Sequence, residues 1–335
     1  MNRAAPRSAT DVSATAGARR LVPRAMRSLS FRNIGALYVW ALIIAFFCWK
    51  VPDTFPTSDT VKSILNNEAV TGIIAISLVV PLAAGVFDLS IGYVAGFGGI
   101  LSAWLLANTS MSPWLVILAT LFATLLLGMA NGIVVVVLRV NSLIATLGTG
   151  TIIFALTKWV SDEKMITKRV PELSERVARG QLLGVTTPVF ILLGVMIVVG
   201  YVLEQTTTGR AWYATGFDSE ASRLAGLRVR SLQLSAFLAS GVLSGLAGIV
   251  MTARVNSGSP QSGPPYLLPA FAAAFLGATQ FRGGRFNVWG AVVAVLMLGT
   301  GKVGLSLAGA PNWAPDVFQG IVLITAMAIT RAERS

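Results

Sequence analysis

Ten times between residues 33 and 330 the sequence turns apolar for long enough, or nearly long enough, to cross a lipid bilayer. A hydrocarbon core of about 30 Å needs about 20 apolar residues wound as a helix. The runs fall at about 33–49, 64–87, 91–107, 113–138, 141–160, 187–204, 231–253, 266–280, 286–306 and 313–330. No water inside a bilayer pairs the backbone, so each run must bond its own peptides as a helix or be shielded by neighbours. The runs at 91–107 and 266–280 are short and rich in small residues, which suits broken or tilted helices buried in protein. The pattern predicts an all-α integral membrane fold, a bundle of about ten transmembrane helices.

Composition agrees. Only 12% of the 335 residues are charged, and mean hydropathy is +0.73. A soluble domain carries about 25% charged residues. Recurrent glycines, Gly96, Gly98 and Gly99 and then Gly241, Gly245 and Gly248, read as positions where helix backbones approach closely.

The formal charge of +12 does not predict nucleic-acid binding, because the basic residues punctuate the gaps between apolar runs. With the amino terminus inside and alternating sides, 16 Lys and Arg fall inside and 10 outside. Six of the outer ten sit at 158–179 among acids, and without that stretch the ratio is 16 to 4. The positive-inside bias thus places both termini in the cytoplasm. Residues 1–32, with seven arginines and one acid, read as a basic cytoplasmic tail rather than a cleaved signal. Residues 33–331 form the membrane domain, with an external loop at about 161–186 and a cytoplasmic loop at about 205–230.

Cys48 is the one cysteine and there is no histidine, which excludes a disulfide framework, a zinc site and a Ser-His-Asp hydrolase. Gly299-Thr300-Gly301-Lys302 imitates a phosphate-binding loop but has Leu296 where the first Gly belongs and Val303 where Ser or Thr belongs. Nucleotide binding by that route is not expected.

Within 205–230, Asp218 or Ser219 is positioned to cap a helix, Glu220 falls in its first turn, and Gly226 is a natural stop. Ala221, Leu224 and Ala225 share one face at helical spacing. Two readings are open, a loop helix lying on the protein's own surface and a protrusion offered to a partner. Asp88 and Ser90, between two runs, read as a cap on the third span or as a gating or substrate group. Asn66, Asn67, Asn131, Asn141, Thr146, Thr149 and Thr151 are polar groups in or beside apolar helices. Each needs a partner, by interhelical bonding or, as a set, along a path for hydroxylated solute.

Residues 218–229, DSEASRLAGLRV, resemble the cytoplasmic coupling segment of the permease subunits of ABC importers, in the ribose/xylose/galactose branch. GVFDLSIG at 85–92 is similar to a signature of that family, carried here by Gly85, Asp88, Leu89, Ser90 and Gly92. NSLIATLGTG at 141–150, FLASGVLSGLAGIVMTA at 237–253 and GATQFRGGRFNVWG at 277–290 follow in order. The resemblance covers about residues 60–330. It departs at Ser142, where the family has Pro, and at Thr279 to Arg282, where the family has Thr-Ser before a Gly-Gly turn.

The resemblance implies a bacterial inner-membrane permease for a monosaccharide, not an enzyme, with no cofactor in this chain. It implies an ATPase subunit of tandem two-domain type that binds ATP-Mg, an external sugar-binding protein, and a second permease subunit, as a homodimer. Asp218, Ser219, Glu220, Ala221, Ser222, Arg223, Leu224, Ala225, Gly226 and Leu227 would then dock on the ATPase. A nucleoside or branched-chain amino acid permease is the near alternative, and an ion-coupled secondary transporter the distant one. The distant one should carry intramembrane charge. Here Glu68, Glu204, Lys302 and Asp316 all fall near expected span ends.

Overall fold

A computed structural model of the chain describes residues 31–280 and 284–332, which form an all-α membrane bundle with one small hairpin. The helices are α1 (Phe31–Lys50), α2 (Ser58–Ala83), α3 (Ile91–Asn108), α4 (Pro113–Gly132), α5 (Ser142–Ser161), α6 (Val170–Val177) and α7 (Thr187–Gln205). They continue as α8 (Thr207–Phe217), α9 (Ser219–Leu224), α10 (Val229–Val255), α11 (Leu267–Gln280), α12 (Val288–Leu307) and α13 (Ala314–Ala332). Strands β1 (Gln181–Leu182) and β2 (Val185–Thr186) pair antiparallel. Among the described residues, seven helices are long and apolar enough to span a bilayer, and three shorter apolar stretches complete the ten expected runs. The arginine tail through Arg27, together with Phe281, Arg282 and Gly283, lies outside the described residues.

The core is a seam of small residues. Lipid is as apolar as leucine, so helices in a membrane associate through close packing rather than hydrophobic expulsion. Gly241 and Gly128 bring α10 and α4 together backbone to backbone, and Gly98 and Gly245 do the same for α3 and α10. The glycines expected at close approaches therefore stand at them.

Several boundaries differ from the sequence reading. α2 begins at Ser58 rather than near 64, because Thr57 accepts the Thr60 N–H at 3.2 Å and starts the helix early. Glu68 consequently lies inside the helix, not at its end. It is buried and lies over Gly299. α4 passes into a single π turn at Ile133–Val137 before the chain bends at Arg139, whose φ is 58°.

After α10 the chain turns at Asn256 and runs back along α3. Gly258 sits against Ala103, and Gly263 against Gly96 and Gly92, a descent of about three turns. The turn Pro264–Tyr266 then starts α11, whose 14 residues rise only about 21 Å. Its Ala270, Ala272, Ala273, Ala274 and Ala278 are buried, so this half-helix is shielded by protein as its length requires.

The stretch expected as an external loop is ordered. Val170, Leu173, Ser174 and Val177 are the buried stripe of α6, which packs on α10. Arg169 donates to the carbonyls of Leu106 (3.1 Å) and Thr109 (2.6 Å), where the dipole of α3 places negative charge, and pairs with Glu172 at 2.7 Å. A bridge between Ile166 and Gly258 ties the loop to the returning segment.

Candidate functional site

At the end of the bundle opposite α6, the chain builds a protrusion from α8 and α9. Asp218 caps α9 by accepting the N–H groups of Glu220 (3.0 Å) and Ala221 (2.9 Å). The helix closes with Gly226 at φ 85°. The Leu227 N–H bonds the Ser222 carbonyl and the Gly226 N–H bonds the Arg223 carbonyl, both at 3.0 Å. These two bonds satisfy the last carbonyls and stop a helix of only six residues cleanly. Arg223 hydrogen-bonds Glu220 and holds its carboxyl below the usual carboxylate range. Ser222 is buried, whereas Ala221, Arg223, Leu224 and Ala225 face outward.

Leu224 is 77% exposed and Phe217 is 92% exposed. Phe217 was not singled out from the sequence, although a signal was present. An apolar residue just before a cap usually packs on the fourth helical position, but that position is Ser222. The ring therefore projects.

Between α2 and α3, the signature at 85–92 builds a second feature, inside the bundle. Gly85 has φ 78°, and a Cβ there would come within 2.9 Å of the Gly216 Cα on α8. Asp88 is buried. Its Oδ1 accepts the Ser90 N–H (3.0 Å) and Ser90 hydroxyl (2.6 Å), and its Oδ2 accepts the Ser240 hydroxyl (2.8 Å). Ser240 lies about three turns into α10, so the carboxylate sits deep between the helices. Such a site is tolerable for a charge only where donors surround it. Ser90 also receives the Asn131 amide at 2.6 Å. The expected cap on α3 is thus corrected: Ser90 holds the N-cap position but makes no cap bond, because its hydroxyl is committed to Asp88.

α5 completes the surroundings. Thr146 accepts the Leu89 N–H at 3.0 Å, and Ser142 accepts the Phe87 N–H at 3.3 Å. Asn141 caps α5 through Leu143 (3.0 Å) and Ile144 (3.4 Å). Of the path-lining candidates, Asn131 and Thr146 thus meet at the Asp88 junction. Thr149 and Thr151 bond back to Ala145 and Leu147, each at 3.0 Å, the first half-buried and the second exposed. Asn66 accepts the Thr186 N–H (3.0 Å) and hydroxyl (2.9 Å), and Asn67 is engaged by Arg254, both towards the α6 end. The seven do not converge on one cavity of this chain. A 360 Å³ groove between α1, α12 and α13 is lined by apolar side chains and Gly301, and a 390 Å³ hollow lies at the ends of α3 and α5 beside Trp104, Asn108 and Asp162.

The chain is thus a helical membrane bundle with a capped, apolar-tipped protrusion at one end. Comparison with known families places it. A family described as "Branched-chain amino acid transport system / permease component" matches residues 60–327. The chain belongs to that permease family. The permease is 31% identical to the ribose import permease protein RbsC of Haemophilus influenzae over 289 residues, which cover 85% of this chain and 89% of the relative. It is also 31% identical over 308 residues to the L-arabinose transport system permease protein AraH of Escherichia coli, covering 91% and 93%. To RbsC of Bacillus subtilis it is 30% identical over 272 residues, covering 81% and 84%.

Proposed function

We propose that this permease is the membrane subunit of an ATP-driven importer and forms the passage for a monosaccharide. The exposed protrusion carrying Phe217 and Leu224 is the observation that carries the reading. A capped knob with an apolar tip is what a water-soluble partner can grip, and exposed apolar patches mark interaction sites. The partner is an ATPase of two tandem domains that binds ATP-Mg, and this chain holds no ATPase site or cofactor of its own. Residues 218–227 dock on that ATPase. The α9 end and both termini face the cytoplasm of a bacterial cell, and the α6 end faces an external binding protein that delivers the sugar. A second copy of the permease completes the passage. Substrate class is supported by the ribose and arabinose relatives. A neutral sugar needs hydrogen bonds rather than counter-ions, and the buried Asp88 already has its own serine donors rather than a free face for an ion.

The family's description favours a second reading, import of a branched-chain amino acid. Reconstitution of the complex in proteoliposomes separates the two. ATP-dependent uptake of radiolabelled ribose or arabinose supports the first reading, and uptake of leucine alone replaces it with the second. Accumulation by the permease without any ATPase overturns both.

A further inference from the structure

We infer that the segment 85–90, anchored by the buried Asp88 and Ser90, is the mechanical link that carries displacement of the α8–α9 protrusion to the helices around the passage. This inference rests on the functional reading above. Gly85 is in backbone contact with Gly216, one residue before Phe217 and two before the cap Asp218. A push on the protrusion therefore reaches 85–90 without an intervening side chain. From there the segment is bonded outward to three separate helices: to α10 through Asp88 and Ser240, to α4 through Ser90 and Asn131, and to α5 through the Leu89 N–H and Thr146. The bonds made by Asp88 and Ser90 are short and buried, so they transmit position rather than yield to water.

A link that moves must exchange partners, and both of its ends have spare bonding capacity. Among the described residues, Asn131 Oδ1 and Thr215 Oγ1 are buried and have no hydrogen-bond partner. Asn131 adjoins Ser90, and the Thr215 carbonyl borders Gly85. Buried groups of this kind are normally satisfied. In the alternative state of the bundle, the Asn131 oxygen takes a donor from the shifted segment, and Asp88 keeps the serine hydroxyls as the pivot.

The test uses the permease co-purified with its ATPase in nanodiscs, with ATP-Mg and vanadate as the probe. Spin labels at Asn108 and Trp159 report the separation of α3 and α5 at the α6 end. Asp88→Asn replaces one acceptor by a donor without changing shape, Ser240→Ala removes one bond, and Gly85→Ala wedges the joint. Each should still co-purify with the ATPase, and Asp88→Asn and Ser240→Ala should still unfold in one cooperative transition, whereas Gly85→Ala is expected to lower thermal stability as well. Each should also keep ATP hydrolysis while lowering uptake about tenfold and abolishing the vanadate-induced distance change. If Asp88→Asn and Ser240→Ala, folded and ATPase-bound, give the unaltered distance change and uptake, the link is refuted. If the unaltered complex itself shows no response to nucleotide, the ATP-driven reading fails, and the link fails with it.

Discussion

Gly248 of α10 lies so close to α3 that a methyl group on it would come within 2.0 Å of the Ala95 carbonyl oxygen. Neither neighbour is a flexible side-chain tip, since the next nearest atom is the Gly99 nitrogen at 2.7 Å. Gly248→Ala must therefore separate two buried helices, and overpacking of this kind costs about 1–3 kcal/mol or more. Gly148 is the matched control, with nothing within 4 Å of its Cβ position. Thermal unfolding in detergent should fall clearly for Gly248→Ala and hold or rise for Gly148→Ala. Equal effects would mean the seam is not the packing core.

Asp218 supplies both N-terminal bonds of a helix six residues long. Asp218→Ala should cost about 1 kcal/mol locally, a large share for so short an element. The expected outcome is unchanged global unfolding with weaker ATPase binding, about fivefold by titration. Asp218→Asn, which still caps, should behave almost as the parent.

Gly226 has φ 85° and open space around its Cβ position, so substitution there acts through the backbone alone. Gly226→Ala should strain the turn by about 1–2 kcal/mol. Gly226→Asn should be tolerated better, because Asn accepts left-handed geometry. Uptake supported by ATP is the readout, and identical rates for the two variants would refute the assignment of this turn to coupling.

The Arg169 guanidinium beside Glu172 holds that carboxyl below its ordinary range. A depressed carboxyl stabilises the fold above its unfolded-state value, and the contribution disappears as pH falls through the lowered one. The pair is partly solvent-exposed, so salt should weaken it. Arg169→Gln should therefore flatten the acid-side loss of thermal stability between about pH 5 and pH 3. It should also leave the carbonyls of Leu106 and Thr109 without this donor. An unchanged acid-side profile would show that the pair contributes nothing measurable.

The membrane bundle was legible in the sequence because a bilayer allows so few solutions. Residues 266–280 read correctly as a short shielded helix for that reason. The start of α2 was misplaced because its polar first turn and a half, with Asp59 and Lys62, is set by the Thr57 cap and not by hydropathy. α6 was readable but passed over, since Val170, Leu173, Ser174 and Val177 keep helical spacing. Asp88 drew notice as a charge between apolar runs, yet its partner Ser240 is 152 residues away. No local pattern encodes a pairing over that distance. Asn66 and Asn131 look alike in sequence, but one is held at the α6 end and the other in the interior. Polarity within a span says that a partner exists and not where.

Phe217 and Leu224 also have a consequence for the chain on its own. Left uncovered, two apolar side chains this exposed are a handle for unwanted association. Overproduction of this subunit alone should favour clumping and degradation, and balanced synthesis with its ATPase should suppress both.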